Sequence, residues 1–337
     1  MRNGKLKNRV WTLALVVGLS VTMNTLQANN KATTHPVMTK FIDKMVTKHG
    51  FEREAILSTL SEAEILPVII EKMTRPAEAF PWHRYRNIFL KPDRIEKGVS
   101  FWQENADILT AAENKYGVPI EIIVAILGVE TKYGRITGGF RLVDALTTIS
   151  VDYPKRSKYF IKELEQAFLL AREEKFDLLN LEGSYAGAMG MAQFMPSSYR
   201  HYAVDGDGDG VRDLLNNKAD AINSIANYLK RHKWKAGEPI ATRAQVSGEK
   251  YKTFVKKGMK PKVQLSNIAN FSVTAEDEYP GNLKASLIEL EQVEGMEYWL
   301  GLGNFYSITR YNHSNLYAMA VFQLSQEIKA SYQASQS

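Results

Sequence analysis

The first position in this sequence where chemistry is expected is Glu130. It closes the apolar run Ile120-Glu121-Ile122-Ile123-Val124-Ala125-Ile126-Leu127-Gly128-Val129-Glu130, with Pro119 ahead of it and Gly134 behind. Pro at a first-turn position and Gly past the end are helix start and stop signals. In that helix Glu130 shares a face with Leu127, Ile126 and Ile123. A carboxylate on a buried face loses hydration, and in a last turn it meets the negative end of the helix dipole. Both effects disfavour the ionised form, and a rise of about two pH units would suit a general acid near neutrality. Lys132 and Arg135 would act the other way if they fold back over it. A simple ion pair at the helix end accounts for the spacing as well.

Two further segments carry side chains that can bind. Residues 183–199, GSYAGAMGMAQFMPSSY, combine glycines and alanines with Gln193 and Phe194. Small residues let a polymer approach the backbone, an amide offers donors and an acceptor, and a ring offers a flat face. A tight turn packed against a helix would use the same small residues. No phosphate-loop Lys follows, so nucleotide binding is not indicated. Asp205-Gly206-Asp207-Gly208-Asp209-Gly210 fits the opening of an EF-hand loop, in which alternating acids gather hard oxygens around one cation. Val211 would add its backbone carbonyl. The twelfth loop position is Asn216 rather than the usual Glu. Calcium suits this many protein oxygens better than magnesium does, and a solvated acidic turn is the plain alternative.

The elements that must position these residues read as mainly helical. Helical periodicity runs from Phe41 to Gly117, through 119–134, and again near Ser157–Lys175, Ala219–Arg231 and Ser314–Ser331. Between Pro239 and Leu302, β-branched residues alternate with charges, as in Lys284-Ala285-Ser286-Leu287-Ile288-Glu289, which predicts a small antiparallel sheet. The fold class is therefore α+β, mainly α-helical.

Composition narrows the chemistry further. The 337 residues include no cysteine, which removes disulfides, thiolate metal sites and cysteine nucleophiles, along with any lipid-modified cysteine. Six scattered histidines make no zinc-site pair. Arg2, Lys5, Lys7 and Arg9 precede an apolar run from Val10 to Met23, too short for the roughly 20 residues a spanning helix needs. Followed by Leu26-Gln27-Ala28, this reads as a secretory signal over 1–28. Without its four cations the net charge drops from +6 to +2, so nucleic acid is not an expected partner. The processed protein is expected in an extracytoplasmic compartment, neither membrane-spanning nor lipid-anchored.

Taken together, GVETKYG at 128–134, the 183–199 segment, Pro81-Trp82-His83-Arg84-Tyr85 and the tail from Asn304 through Tyr311-Asn312-His313-Ser314 to Tyr317-Ala318-Met319-Ala320-Val321 resemble the lytic murein transglycosylase B family. The resemblance covers nearly the whole chain after residue 28. It implies a lysozyme-like catalytic core over 81–237 carrying the EF-hand-like loop, preceded by a helical region over 29–80. The small β region over 238–303 would be followed by a C-terminal segment, 304–337, that completes the core. It also implies cleavage of the β-1,4 bond between N-acetylmuramic acid and N-acetylglucosamine in peptidoglycan, leaving a 1,6-anhydro sugar, with Glu130 as acid and then base. Matching positions put Ser184 and Gln193 near the reacting sugar, Tyr85, Phe194, Tyr311 and Tyr317 along the groove, and Asn312 as a polar contact. The calcium loop would be closed by Asp220, with Asp213 as the competing acid. Peptidoglycan strands are the expected partner, and other cell-wall enzymes are candidates. Hydrolytic muramidase action is the alternative enzyme reading and would need a second carboxylate, with Asp144 and Asp152 as the acids that folding could bring in. A calcium-dependent wall-binding module without turnover is the alternative from another class.

Overall fold

The computed structural model describes residues 31–74 and 80–336, so the expected signal over 1–28 lies outside the described residues. The chain forms two compact units and passes between them. The smaller unit begins with α1 (Pro36–His49), α2 (Arg53–Ser61) and α3 (Pro67–Met73). The larger unit takes up α4 (Trp82–Phe89), α5 (Pro92–Glu104), α6 (Ala106–Tyr116) and α7 (Ile120–Thr131). Returning to the smaller unit, the chain builds the short strand β1 (Phe140–Arg141), α8 (Leu142–Asp152), α9 (Ser157–Glu174) and β2 (Glu182–Gly183), which pairs antiparallel with β1. Residues 139–187 pack with the N-terminal helices because α8 is tied to the turn before α3. The Asp144 carboxylate accepts the Glu64 amide at 3.0 Å, and the Thr148 hydroxyl accepts the Leu66 amide at 3.0 Å.

The remainder of the chain stays in the larger unit. It runs through α10 (Pro196–Tyr202) and α11 (Lys218–Arg231) into the strand region. There β3 (Ala241–Val246), β4 (Val263–Gln264), β5 (Val273–Ala275), β6 (Lys284–Glu291) and β7 (Met296–Gly301) form one antiparallel sheet in the order β4-β6-β7-β3-β5. The fold class read from the sequence holds: mainly helical α+β with a small antiparallel sheet. The sheet also encloses a short helix, α12 (Tyr251–Val255), and a 3₁₀ turn at Leu265–Phe271, where strand alternation alone showed neither. One face of β6 and β7 packs with Phe254, Val263, Ile268 and Val273 into a core of its own. Helices α13 (Gly303–Ile308) and α14 (Asn315–Ala334) end the chain.

Helix α7 is apolar around most of its circumference, with Glu121 paired to Lys329 at 2.8 Å, and each residue from Ile120 to Gly128 is buried. Such a helix is stable only when wrapped by others. Both α5 and α14 pack along it. The Ser314 side chain caps α14 by accepting the Tyr317 amide at 3.2 Å, which sets the start of the helix that faces Glu130.

Candidate active site

Glu130 sits in the last turn of α7, half-buried. The helix stops earlier than Gly134 predicts: it ends at Thr131, and Lys132 and Tyr133 as well as Gly134 take left-handed backbone, with φ of 50°, 64° and 82°. Side chains hold this reversal in place. Arg94 of α5, itself buried, donates to the Gly128 carbonyl at 2.7 Å, and the Tyr133 hydroxyl donates to the Arg94 carbonyl at 2.6 Å. Thr131 Oγ1 donates to the Met191 carbonyl at 2.9 Å and accepts the Gly134 amide at 2.9 Å. A left-handed conformation costs a non-glycine residue roughly 1–2 kcal/mol, and these bonds offset it.

The sequence assigned no role to Arg94, nor to Thr131 and Tyr133 within the GVETKYG segment. A signal was there in Gly98 and Gly128, two glycines inside helices, where glycine is unfavourable by roughly 0.5–1 kcal/mol. A Cβ at either would lie 2.7 Å from the Tyr133 hydroxyl, so both glycines make room for that ring.

Four of the expected site residues converge around the acid. The Tyr317 hydroxyl donates to Glu130 Oε1 at 2.6 Å. The Tyr311 ring lies nearly parallel to that of Tyr317, with centroids 6.4 Å apart and planes 10° apart. Its hydroxyl donates to the Ala192 carbonyl at 2.6 Å, and its ring packs 5.7 Å from Phe194. Burial first, and the negative charge of Glu130 second, push both phenols well above the usual tyrosine range. Tyr85, buried on α4, adds a smaller push on Tyr317 in the same direction. Both phenols therefore stay protonated, and Tyr317 remains a donor to Glu130. Asn312 is half-buried in the turn before α14.

Gln193 has φ of 49°, and its side-chain amide donates to the carbonyls of Thr137 and Gly190, both at 2.9 Å. It thus braces the hairpin in which Met189 bridges Phe194. Ser184 belongs to the smaller unit, where its hydroxyl accepts the Ala186 amide at 3.3 Å and caps a turn. The two carboxylates expected as possible second acids are also in that unit and are committed there. Asp144 binds the Glu64 amide and Arg141, and Asp152 pairs with Lys31.

Of the two roles open for the small residues of this segment, Gly187 and Gly190 serve the packed turn. A Cβ on Gly187 would meet Leu146 Cδ2 at 2.5 Å, and one on Gly190 would meet the Leu214 carbonyl oxygen at 2.2 Å. The protein's own side chains and backbone fill the space beside these two glycines, so close packing rather than ligand access requires them.

In the acidic loop, one carboxylate oxygen from each of Asp205, Asp207 and Asp209 lies within 4.8 Å of the others. Two oxygens on opposite sides of a calcium ion at its usual bond length lie about 4.8 Å apart, so the three fit one ion. Hydrogen bonds preset the loop. Asp205 accepts the Gly208 and Gly210 amides at 2.6 and 2.8 Å, Asp207 accepts the Asn217 side-chain amide at 2.8 Å, and Asp209 accepts the Val211 amide at 2.8 Å. The Gly210 amide above all holds the Asp205 carboxyl below the usual range, against some desolvation. Asp220 is fully buried beneath the loop, accepting the amides of Gly206 and Asp213, both at 2.6 Å. Burial pushes it above the usual range. Asp213 accepts the Leu215 and Asn216 amides at 2.8 and 3.0 Å and shapes the turn that follows.

Replacing Tyr317 by Phe is expected to lower kcat about tenfold to a hundredfold with little change in KM, since one hydrogen bond to a charged group is worth about 1.5–3 kcal/mol. It should also change behaviour at high pH. A phenol whose pKa is raised on folding lends stability that is complete below the unfolded value of about 10 and is lost as pH rises through the folded value. Alkaline melts of the Phe variant should therefore fall off less steeply than those of wild type.

Comparison with known proteins identifies the family. The profile of the Transglycosylase SLT domain matches residues 33–326. The membrane-bound lytic murein transglycosylase B of Escherichia coli (strain K12) is 45% identical over 317 residues, which is 90% of this chain and 86% of that protein. Among solved structures, catenated lytic transglycosylase SltB1 from Pseudomonas aeruginosa is 44% identical with a TM-score of 0.84, covering 88% of this chain and 98% of its own. The Escherichia coli lytic transglycosylase Slt35 in complex with calcium is 45% identical with a TM-score of 0.80, covering 89% of this chain and 94% of its own. A profile match over most of the sequence, joined to a relative this similar across nine-tenths of it, establishes that the chain belongs to the transglycosylase SLT-domain family.

Proposed function

We propose that Glu130 is the acid and then the base by which this lytic transglycosylase cuts the β-1,4 bond between N-acetylmuramic acid and N-acetylglucosamine in peptidoglycan. The observation that carries the reading is the Tyr317 bond to Glu130 Oε1 at the end of a buried apolar helix. With Oε1 accepting from the phenol, the transferable proton resides on Oε2. That proton goes to the bridging oxygen, which leaves as the 4-hydroxyl of N-acetylglucosamine. The acetamido carbonyl of the muramyl residue stabilises the cation at its anomeric carbon, as in substrate-assisted glycosidases. The Glu130 carboxylate then takes the proton of the 6-hydroxyl, whose oxygen closes onto the anomeric carbon. No water is consumed and the acid is regenerated.

An attached hydroxyl outcompetes water when it is well oriented, because such groups reach effective molarities of about 10⁵ M or more. Tyr85, Gln193, Phe194, Tyr311, Asn312 and Tyr317 of the larger unit are proposed to bind the sugars, and Ser184 of the smaller unit is proposed as a sugar contact on its own account. Mass spectrometry of digested sacculi tests the reaction. Anhydro products lie about 18 Da below those of hydrolysis, since ring closure replaces attack by water. Products bearing a free reducing end would support the muramidase reading instead.

Asp205, Asp207 and Asp209 are proposed to hold a calcium ion that stabilises the fold, with the Val211 carbonyl completing the shell and Asp220 bracing the loop from below or joining it. Calcium at 100 times its dissociation constant should add about 2.7 kcal/mol, equivalent to a rise of a few degrees in Tm. A melt with and without chelator reads this out, and an unchanged midpoint would remove the ion from the account. We place the processed protein in the periplasm; among the described residues no helix is long and apolar enough to cross a membrane.

A further inference from the structure

A second cavity, of about 490 Å³, lies in the larger unit where the sheet meets α4 and α14. It is lined by Arg86, Arg243, Asp277, Trp299, Gln326 and Glu327, among others. Gln326 comes roughly two and a half turns after Tyr317 on α14, so it points from the opposite face of that helix. Such a volume falls within the range of small-molecule sites.

Its charges are unevenly committed. Arg243 pairs with Glu297 at 3.1 Å and lies over the Trp299 ring at 5.1 Å. Asp277 is fixed by the Thr242 hydroxyl at 2.7 Å. By contrast, the buried Nε of Arg86 donates to no described residue. Neither Arg86 nor the Glu327 carboxylate enters an ion pair with any described residue. An unmade bond to a buried donor is destabilising, and more so when the group is charged. A carboxylate arriving at Arg86 would recover it. The acids at the rim, Glu276, Asp277 and Glu327, repel a polyanion and suit an ammonium group. One ligand that satisfies both ends carries a carboxylate and an ammonium together.

We propose that this cavity binds the zwitterionic end of a murein peptide stem, the diamino-acid residue, with Arg86 on its carboxylate and Glu327 and Asp277 around its ammonium. The source of the peptide rests on the activity given above; the charge pattern does not. The site would hold the wall through its peptides while Glu130 works on glycan.

Calorimetric titration with a synthetic stem tripeptide ending in diaminopimelate tests the proposal. Wild type and Glu130→Gln are expected to bind it alike, and Arg86→Gln about tenfold or more weaker, the equivalent of one charge-assisted bond. A tripeptide with its terminal carboxylates amidated should bind wild type as weakly as the natural tripeptide binds the Gln variant, and Arg86→Lys should recover part of the affinity. Glu327→Gln supplies an independent loss should the arginine variants fold poorly. Equal binding by wild type, Arg86→Gln and Glu327→Gln, or no binding by wild type, overturns the site. Stem-free glycan strands separate the two readings, since wild type and Arg86→Gln should release anhydro products from them at the same rate. If that release occurs without tripeptide binding, the cavity assignment fails and the activity stands. If arginine-dependent binding occurs without anhydro products, the activity assignment fails and the cavity stands.

Discussion

Glu130→Gln should lower the release of anhydro-muropeptides from sacculi about a thousandfold or more. A positioned acid–base group contributes typically 10²–10⁴-fold to a proton-transfer step, and here one carboxyl would serve both halves of the reaction. Glutamine keeps the shape and still presents an oxygen to the Tyr317 hydroxyl, so the bond now 2.6 Å long can persist. Glu130 is half-buried and ends a helix whose burial lies in the residues before it. The melting temperature should thus hardly move, with a change within about 1 kcal/mol. Activity and melt must be measured together. A variant that digests sacculi at the wild-type rate would remove Glu130 from the mechanism, whereas one that loses activity and fold together would make it a structural residue.

The second large effect is expected at a position with no functional group. Gly190→Ala places a Cβ 2.2 Å from the Leu214 carbonyl oxygen, at a residue whose φ is 66°. Leu214 cannot easily retreat, because its carbonyl accepts the Met191 amide at 2.9 Å and its own amide donates to the Tyr199 hydroxyl at 3.0 Å. Overpacking costs about 1–3 kcal/mol and the left-handed backbone about another 1–2 kcal/mol. A loss of about 3 kcal/mol or more follows, read in denaturant melts. Activity should fall as well, since the same hairpin carries Gln193 and Phe194 and bonds to Thr131 beside the acid. A melt like that of wild type would show that the hairpin can shift and that the close approach is not needed.

Legibility in the sequence followed how local each cause is. The 3.6-residue repeat of apolar side chains marked α7, α9, α11 and α14 to within a few residues. Strand alternation marked β6, and the aspartate spacing marked a loop whose three carboxylates do converge. Where the helix carrying Glu130 stops was less legible. Gly134 was a sound stop signal, yet the reversal begins at Lys132, because Arg94 and Thr131 bond the helix end and outweigh the local cost of left-handed backbone. Arg94 is 34 residues from the Gly128 carbonyl it binds, and Met191 is 60 residues from Thr131, so no spacing rule reaches these two bonds.

By itself the sequence determined which side chains exist, which helical face is apolar, which loop is acidic and which family the chain resembles, since each of these depends on residue type and short-range spacing. Tertiary structure decided which of them meet. It set the Tyr317 hydroxyl against Glu130, committed Asp144 and Asp152 to structural partners, filled the space beside Gly187 and Gly190, and left the Arg86 Nε beside a cavity with no partner among the described residues. Contacts of this kind join residues brought together by burial of the whole apolar surface, and that burial is a property of the packed chain rather than of any segment.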